Sequence, residues 1–171
     1  MMLYGEPVTD GSRIAHLLTK QEWRLFTESA DCFREAAAIG TSNPNYGLIH
    51  GDYHHGNCLS EKGRVGVLDF DDIGYGYFAH DIAVTLSGMM RRPNYPDLRS
   101  AFLRGYRSVR EFPEGHERHF GCMIATRWVM LAVWKAGVFD PPALHRDPQE
   151  FAKQRARDIC ERGLHKGGVI V

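Results

Sequence analysis

Several large classes of function find little support in what this sequence contains. Its four cysteines, Cys32, Cys58, Cys122 and Cys160, lie far apart with no C-x-x-C pair. A zinc site built from them would need long-range convergence, so free thiols in a reducing cytoplasm are expected instead. Charge of one sign is not in excess, since 21 basic side chains face 21 acidic ones. That balance gives no electrostatic footprint for nucleic acid or an anionic membrane. No apolar run reaches the roughly 18 residues of a membrane span, and no charged leader followed by an apolar stretch opens the chain. The expectation is a protein that neither spans a membrane nor carries the usual secretory signal. Internal repeats and low-complexity tracts are also missing. What remains is 171 residues, 43% apolar and 25% charged, enough for one domain, or one lobe of a larger enzyme, with a buried core.

The order of elements follows from hydrophobic period and punctuation. Residues 1–12 carry Gly, Pro and Asp without periodicity and read as an extended lead-in. From Arg13 to Ile39 the pattern is helical, as two short helices or one broken one, with Gly40 and "TSNPN" ending it. Three short apolar runs follow. "GLIH" leads into a polar loop, and "NCLS" and "RVGVLDF" flank "EKG", a connection suited to a β-hairpin. Helices are then expected over Asp81–Met90, Pro96–Arg110, His116–Val138 and Asp147–Leu164, with prolines in the gaps. The fold class is therefore α+β and mostly α-helical, with one small hairpin beside the polar residues.

Those polar residues are concentrated in "LIHGDYHHGNCL", residues 48–59. One reading is a metal cage in a hydrolase, with His50, Asp52, His54 and His55 as ligands and Asp69, Asp71 or Asp72 in support. That reading leaves Asn57, the hairpin and "LDFDD" without a task. Phosphoryl transfer gives them one. It needs a carboxylate to orient and deprotonate an attacking hydroxyl, and oxygen ligands to hold Mg²⁺ on nucleotide phosphates. Asp52 and Asn57 supply a base and an amide ligand from one loop. Asp69 follows the apolar run "VGVL", and a hairpin between Asn57 and Asp69 brings the two ligands to one edge.

"HGDYHHGN", then "VLDFDD", then "HDIA" resembles the aminoglycoside phosphotransferase and choline kinase group, which has the protein-kinase-like fold. The tail "DFDDIGYGYFAHDIAVTLSG" looks most like its bacterial stress-response (Ser/Thr kinase-like) and homoserine kinase-like branch. The resemblance is concentrated in residues 46–90 and extends through the helices to about 137. It implies ATP and Mg²⁺ as cofactors and a small-molecule or protein hydroxyl as acceptor. By position it implies Asp52 as catalytic base, Asn57 and Asp69 as Mg²⁺ ligands, and His50 and His54 as structural residues of the catalytic loop (48–59). Asp81 would brace that loop through backbone hydrogen bonds while opening and capping the following helix. Asp71 is a supporting residue of the metal-binding segment (65–74), or with Asp72 a solvated turn carboxylate. His55 stands where relatives often carry proline and receives no role.

Kinases of this fold also have an N-terminal lobe, with a phosphate-covering loop and a strand lysine. The 51 residues before Asp52 hold no G-x-G-x-x-G, and Lys20 falls in a helical region. The expectation is a C-terminal lobe alone: residues 1–45 its linker and first helices, 46–171 the lobe, with a helical subdomain over 78–165. Met1–Met2 is consistent with an internal start. Such a lobe would turn over poorly by itself, or serve as a non-catalytic remnant or binding module. The apolar face left by the other lobe would favour self-association. Acceptor contacts should come from the helices after Asp81. Trp128, Trp134, Phe120 and Tyr106 are pocket or core candidates, and Arg127 and Lys135 would meet an anionic acceptor or snorkel to the surface.

Overall fold

Apolar residues on every side of the stretch Phe120 to Val138 require a helix with neighbours all round it, and that helix is the centre of the fold. The computed structural model describes residues 15–16, 18–37, 44–112, 114–138, 147–162 and 164. The expected extended lead-in over residues 1–12 lies outside the described residues. In chain order the elements are α1 (Lys20–Ala37), β1 (Tyr46–Ile49), a 3₁₀ turn (His55–Asn57), β2 (Cys58–Glu61), β3 (Arg64–Val67) and β4 (Gly74–Tyr77). Then come α2 (Phe78–Met89), α3 (Tyr95–Arg107), a second 3₁₀ turn (Glu114–His119), α4 (Phe120–Val138) and α5 (Pro148–Glu161).

Helix α4 packs against α1, α2 and α5. Its Cys122, Ile124, Ala125 and Ala132 are wholly buried, as are Ala83 and Leu86 of α2. Helix α5 presents Ala152, Ala156 and Ile159, a stripe at helical spacing and fully buried. Small residues at 152 and 156 let that helix approach closely. α1 contributes Phe26 and Ser29, and the Thr126 hydroxyl of α4 donates to the Ser29 carbonyl at 3.2 Å.

α1 runs unbroken over Lys20–Ala37, Ala15 ahead of it is helical as well, and the start of α1 has a local cause. Thr19 and Glu22 form a capping box: the Thr19 N–H donates to Glu22 Oε2 at 2.8 Å, and the Glu22 N–H to Thr19 Oγ1 at 3.2 Å. The expected helix over His116–Val138 is divided, its first residues forming the second 3₁₀ turn. There Glu117 is clamped by Arg99 and Arg107 of α3.

The four strands form two small antiparallel sheets. β2 and β3 form the expected hairpin, with Glu61 opposite Arg64. Lys62 and Gly63 turn it, both with positive φ (49° and 78°), the signature of a two-residue turn whose twist suits a hairpin. The second sheet was not expected from the sequence. β4 pairs with β1, Ile49 opposite Gly74 and Tyr46 opposite Tyr77. This pairing anchors both ends of the intervening segment 50–73, which carries the polar residues. Among the described residues no helix is long and apolar enough to cross a membrane.

Candidate active site

The loop leaving β1 is held by α2. The Asp81 carboxylate accepts the His50 N–H at 2.8 Å and the Gly51 N–H at 2.9 Å. Burial raises the pKa of Asp81, opposed by those two N–H groups. One expectation needs correction here. Asp81 does not cap its own helix, which begins three residues earlier at Phe78 after Tyr77. Its carboxylate is instead spent on the loop. Thr85, one turn on, donates its hydroxyl to the Tyr53 carbonyl at 2.6 Å. In Asp81→Asn one oxygen still accepts, but the amide nitrogen faces the other N–H. We expect a loss of about 2 kcal/mol, read as a lowered denaturant midpoint; an unchanged midpoint would mean that the loop does not depend on this clasp.

His50 is buried, with both ring nitrogens committed. Nε2 donates to the Leu68 carbonyl at 2.9 Å and Nδ1 accepts the Asp52 N–H at 3.3 Å. A carbonyl can only accept, so the ring is the neutral Nε2–H tautomer, tying the loop to the strand end after β3. His54 Nδ1 accepts the Gly56 N–H at 2.9 Å, capping the 3₁₀ turn. Its Nε2 lies 3.5 Å from Asp52 Oδ2. His55 is exposed. The four-ligand cage is therefore not what these residues build, and among the described residues no group of three His, Cys, Asp or Glu is disposed to hold a metal.

Asn57 is buried, and its Nδ2 donates to the Asp52 carbonyl at 3.0 Å. That leaves Oδ1 as the atom to meet a cation. The Leu68 N–H donates to the Asn57 carbonyl at 2.9 Å, which places Asp69 beside Asn57 at the base of the hairpin. Asp69 is exposed and has φ of 61°, a left-handed conformation that aspartate tolerates better than most residues. Asp71 and Asp72 are the central residues of a turn closed by the Ile73 N–H on the Phe70 carbonyl at 3.1 Å. Hydrogen bonds and close polar contacts thus join Asp52, Asn57, His50, His54 and Asp81, with Asp69 following Leu68 at their edge and Asp71 on the exposed turn beyond it.

Arg127 enters this unit from α4. It is 5% exposed and its Nη2 pairs with Asp52 Oδ1. The sequence marks it only as a charge interrupting an apolar helix. Its neighbour His80 is also buried, donating a ring N–H to the Gly51 carbonyl, with its pKa lowered to about 4 by burial first and Arg127 second. His80 was missed altogether, since a lone histidine between Ala79 and Asp81 carries no signal of its own.

A cleft of about 320 Å³ opens between α2, α4 and α5, and its lining includes His54 and Arg127, the two side chains that lie against the Asp52 carboxylate. Of the aromatic candidates, Trp128 lines it, whereas Phe120 is core, stacked on Phe112 at 5.6 Å. Tyr106 borders a second, apolar cavity of about 390 Å³ against His50 and Phe70. Trp134 is half-buried. Lys135 is not itself a lining residue, and its ammonium sits 4.8 Å from the ring of Phe151, which is one.

Known proteins resemble this chain over most of its length. Amicoumacin kinase of Bacillus subtilis (strain 168) is 24% identical over 156 residues, covering 86% of this chain and 46% of that protein. The structure of a microcompartment-associated aminopropanol kinase superposes with a TM-score of 0.71 at 27% identity, covering 88% of this chain and 48% of the other. An amicoumacin kinase in complex with AMP-PNP, Ca²⁺ and Ami gives the same TM-score at 22% identity, covering 92% and 49%. The chain spans about half the length of the relatives it matches. The model of the phosphotransferase enzyme family matches residues 6–118, and with a mostly helical fold shared with kinases of the protein-kinase-like class, the chain belongs to the phosphotransferase enzyme family.

Proposed function

We propose that these residues form the base-and-metal half of a site that transfers the γ-phosphoryl group of ATP to a hydroxyl acceptor. The observation that carries this reading is the Asp52–Asn57–Asp69 unit. Asp52 is the base, held by Arg127 and His54 at the edge of a cleft that can admit an acceptor. Asn57 Oδ1 and the Asp69 carboxylate are an amide and a carboxylate oxygen at one hairpin base, the donor set that magnesium takes when phosphates complete its shell. Bound Mg²⁺·ATP would supply the phosphoryl group and neutralise its charge. His50 and Asp81 position the loop and move no proton. The acceptor hydroxyl would lie against Asp52, which orients it and takes its proton.

An apolar face surrounds this unit. Leu48, Leu59, Leu68, Phe70 and Tyr75 are all 44% exposed or more, an unusual density for free surface. We infer that this face seats the further lobe for which the longer relatives have room, and that the lobe completes the nucleotide pocket. Because positioning supplies most of the catalysis in this reaction, turnover by the described residues alone would be weak. The relative named for aminopropanol puts amino alcohols among the acceptors to be tried.

Calorimetric titration of the chain with Mg²⁺·ATP tests the reading. Binding that vanishes in Asp69→Ala supports it. Binding unchanged by Asp69→Ala, or retained zinc without nucleotide affinity, would refute it. Absence of binding to either protein would mean that these residues form an incomplete enzyme, whose nucleotide pocket needs the further lobe.

A further inference from the structure

The cleft beside Asp52 has a chemistry of its own. Among its described lining residues are three arginines, Arg91, Arg127 and Arg155, and no carboxylate. Behind the lining a single carboxylate, Asp158, serves two of them. It takes Arg91 Nη2 on both oxygens at 2.8 and 2.6 Å and Arg155 Nη1 at 3.3 Å. The aromatic walls are engaged as well. The Arg155 guanidinium sits 5.0 Å above the Trp128 ring and 5.1 Å from the Phe151 ring. Those are the faces on which an ammonium group would be stabilised in an aromatic site. A cationic acceptor entering here would meet three guanidinium groups, with the aromatic surface already taken by one of them.

An acceptor with a carboxylate meets the opposite situation. Guanidinium groups offer paired N–H donors that match a carboxylate in geometry and charge. Arg91 is half exposed, its side chain 51% accessible, so it can turn a donor edge towards a ligand while its carboxylate partner stays buried. A cleft of about 320 Å³ is at the small end for ligand sites, suited to a compact metabolite and not to a multi-ring antibiotic.

We propose that the acceptor is a small hydroxycarboxylate, its carboxylate held by Arg91 and Arg155 and its hydroxyl directed to Asp52. This rests on the phosphotransferase reading for the role of the cleft, and adds the class of compound the cleft selects. It separates this chain from an amino-alcohol kinase by charge, not by fold.

The test is a competition of three small probes on the whole chain, followed by calorimetry or ligand-observed NMR: D-glycerate, glycerol and 1-amino-2-propanol. Glycerate is expected to bind at least about tenfold more tightly than either of the others, the gain of a charge-assisted pair. Arg91→Gln, on the surface, should lower glycerate affinity about fivefold or more and leave glycerol unchanged. Arg155→Lys, which keeps the charge and loses the planar fork, should weaken glycerate by a smaller factor. Tighter binding of 1-amino-2-propanol, equal binding of all three, or no binding of any would overturn the proposal. A parallel Mg²⁺·ATP titration separates the two readings. Nucleotide binding without a glycerate preference removes the hydroxycarboxylate and keeps the phosphotransferase. Glycerate binding lost in Arg91→Gln, without nucleotide binding, keeps the anion site and removes the phosphotransferase.

Discussion

Gly51→Ala is expected to destabilise the fold by on the order of 3–4 kcal/mol and to displace the loop that carries Asp52. Two separate costs add. Gly51 has φ of +85°, where a side chain meets its own backbone, at roughly 1–2 kcal/mol. A Cβ built there would also lie 2.4 Å from the Asp72 carbonyl oxygen, far inside van der Waals contact. The obstacle is backbone, in a turn closed by its own hydrogen bond, so it cannot swing aside as a flexible side chain would. Relief requires moving either the 70–73 turn or the loop, and the loop is clasped to Asp81 through this same residue. Denaturant unfolding of the variant, with Mg²⁺·ATP binding alongside, reads both effects. Near wild-type stability would show that the loop and the turn are not packed against one another.

The close approach at Gly51 illustrates what the sequence could convey. "HGDYHHGN" and "VLDF" mark a loop and a strand end by local composition, and "EKG" marks the turn between them, because a two-residue turn with positive φ is decided by the residues in it. The partners that make the loop rigid come from far along the chain. Asp81 is 30 residues from Gly51 and Arg127 is 75 from Asp52. β4 escaped notice for the same reason. "GYGY" alternates glycine and tyrosine, reads as loop by propensity, and becomes a strand only by pairing with β1. Gly47 on β1 also has a tertiary cause, since a Cβ there would come within 2.7 Å of the Phe78 ring.

Charge partners were equally hidden. The cations of "MMRRPNYP" read as favourable pairing with a helix C-terminus. In the structure Arg91 instead finds Asp158, 67 residues on, in an ion pair whose carboxylate is only 7% exposed. Arg127 on its apolar helix left two readings open, anionic acceptor or surface. It is neither at the surface nor apart from the site, because a buried guanidinium needs a carboxylate and Asp52 provides one. Sequence periodicity shows that a charge is misplaced for a core helix. It does not show what compensates it.

The consequence of burying Arg127 falls on His80, and it yields the second large effect. His80 is 1% exposed and holds the Gly51 carbonyl, with its pKa lowered from 6.5 to about 4, by burial first and the Arg127 charge second. A depressed histidine penalises folding in acid. Above pH 6.5 both states hold the neutral ring and there is no cost. Between pH 6.5 and about 4 the unfolded chain takes a proton that the folded chain refuses, so stability should fall by about 1.4 kcal/mol per pH unit. The loss totals roughly 3 kcal/mol and levels off below pH 4, where the folded ring also protonates. Urea unfolding from pH 7 to 4, on the native chain and on His80→Asn, measures this as a difference in slope. The asparagine variant should start lower because of the volume removed, yet decline less steeply by that amount. Parallel curves would mean that the ring takes up its proton alike in the folded and unfolded chain, so that burial does not hold its pKa down. Arg127→Met supplies the converse: with the second cause removed and burial retained, the His80 titration followed by NMR should move part of the way back towards 6.5. Because protonation of this ring puts a second buried cation near Arg127, the partner of Asp52, acidification should loosen the site before the helical core gives way.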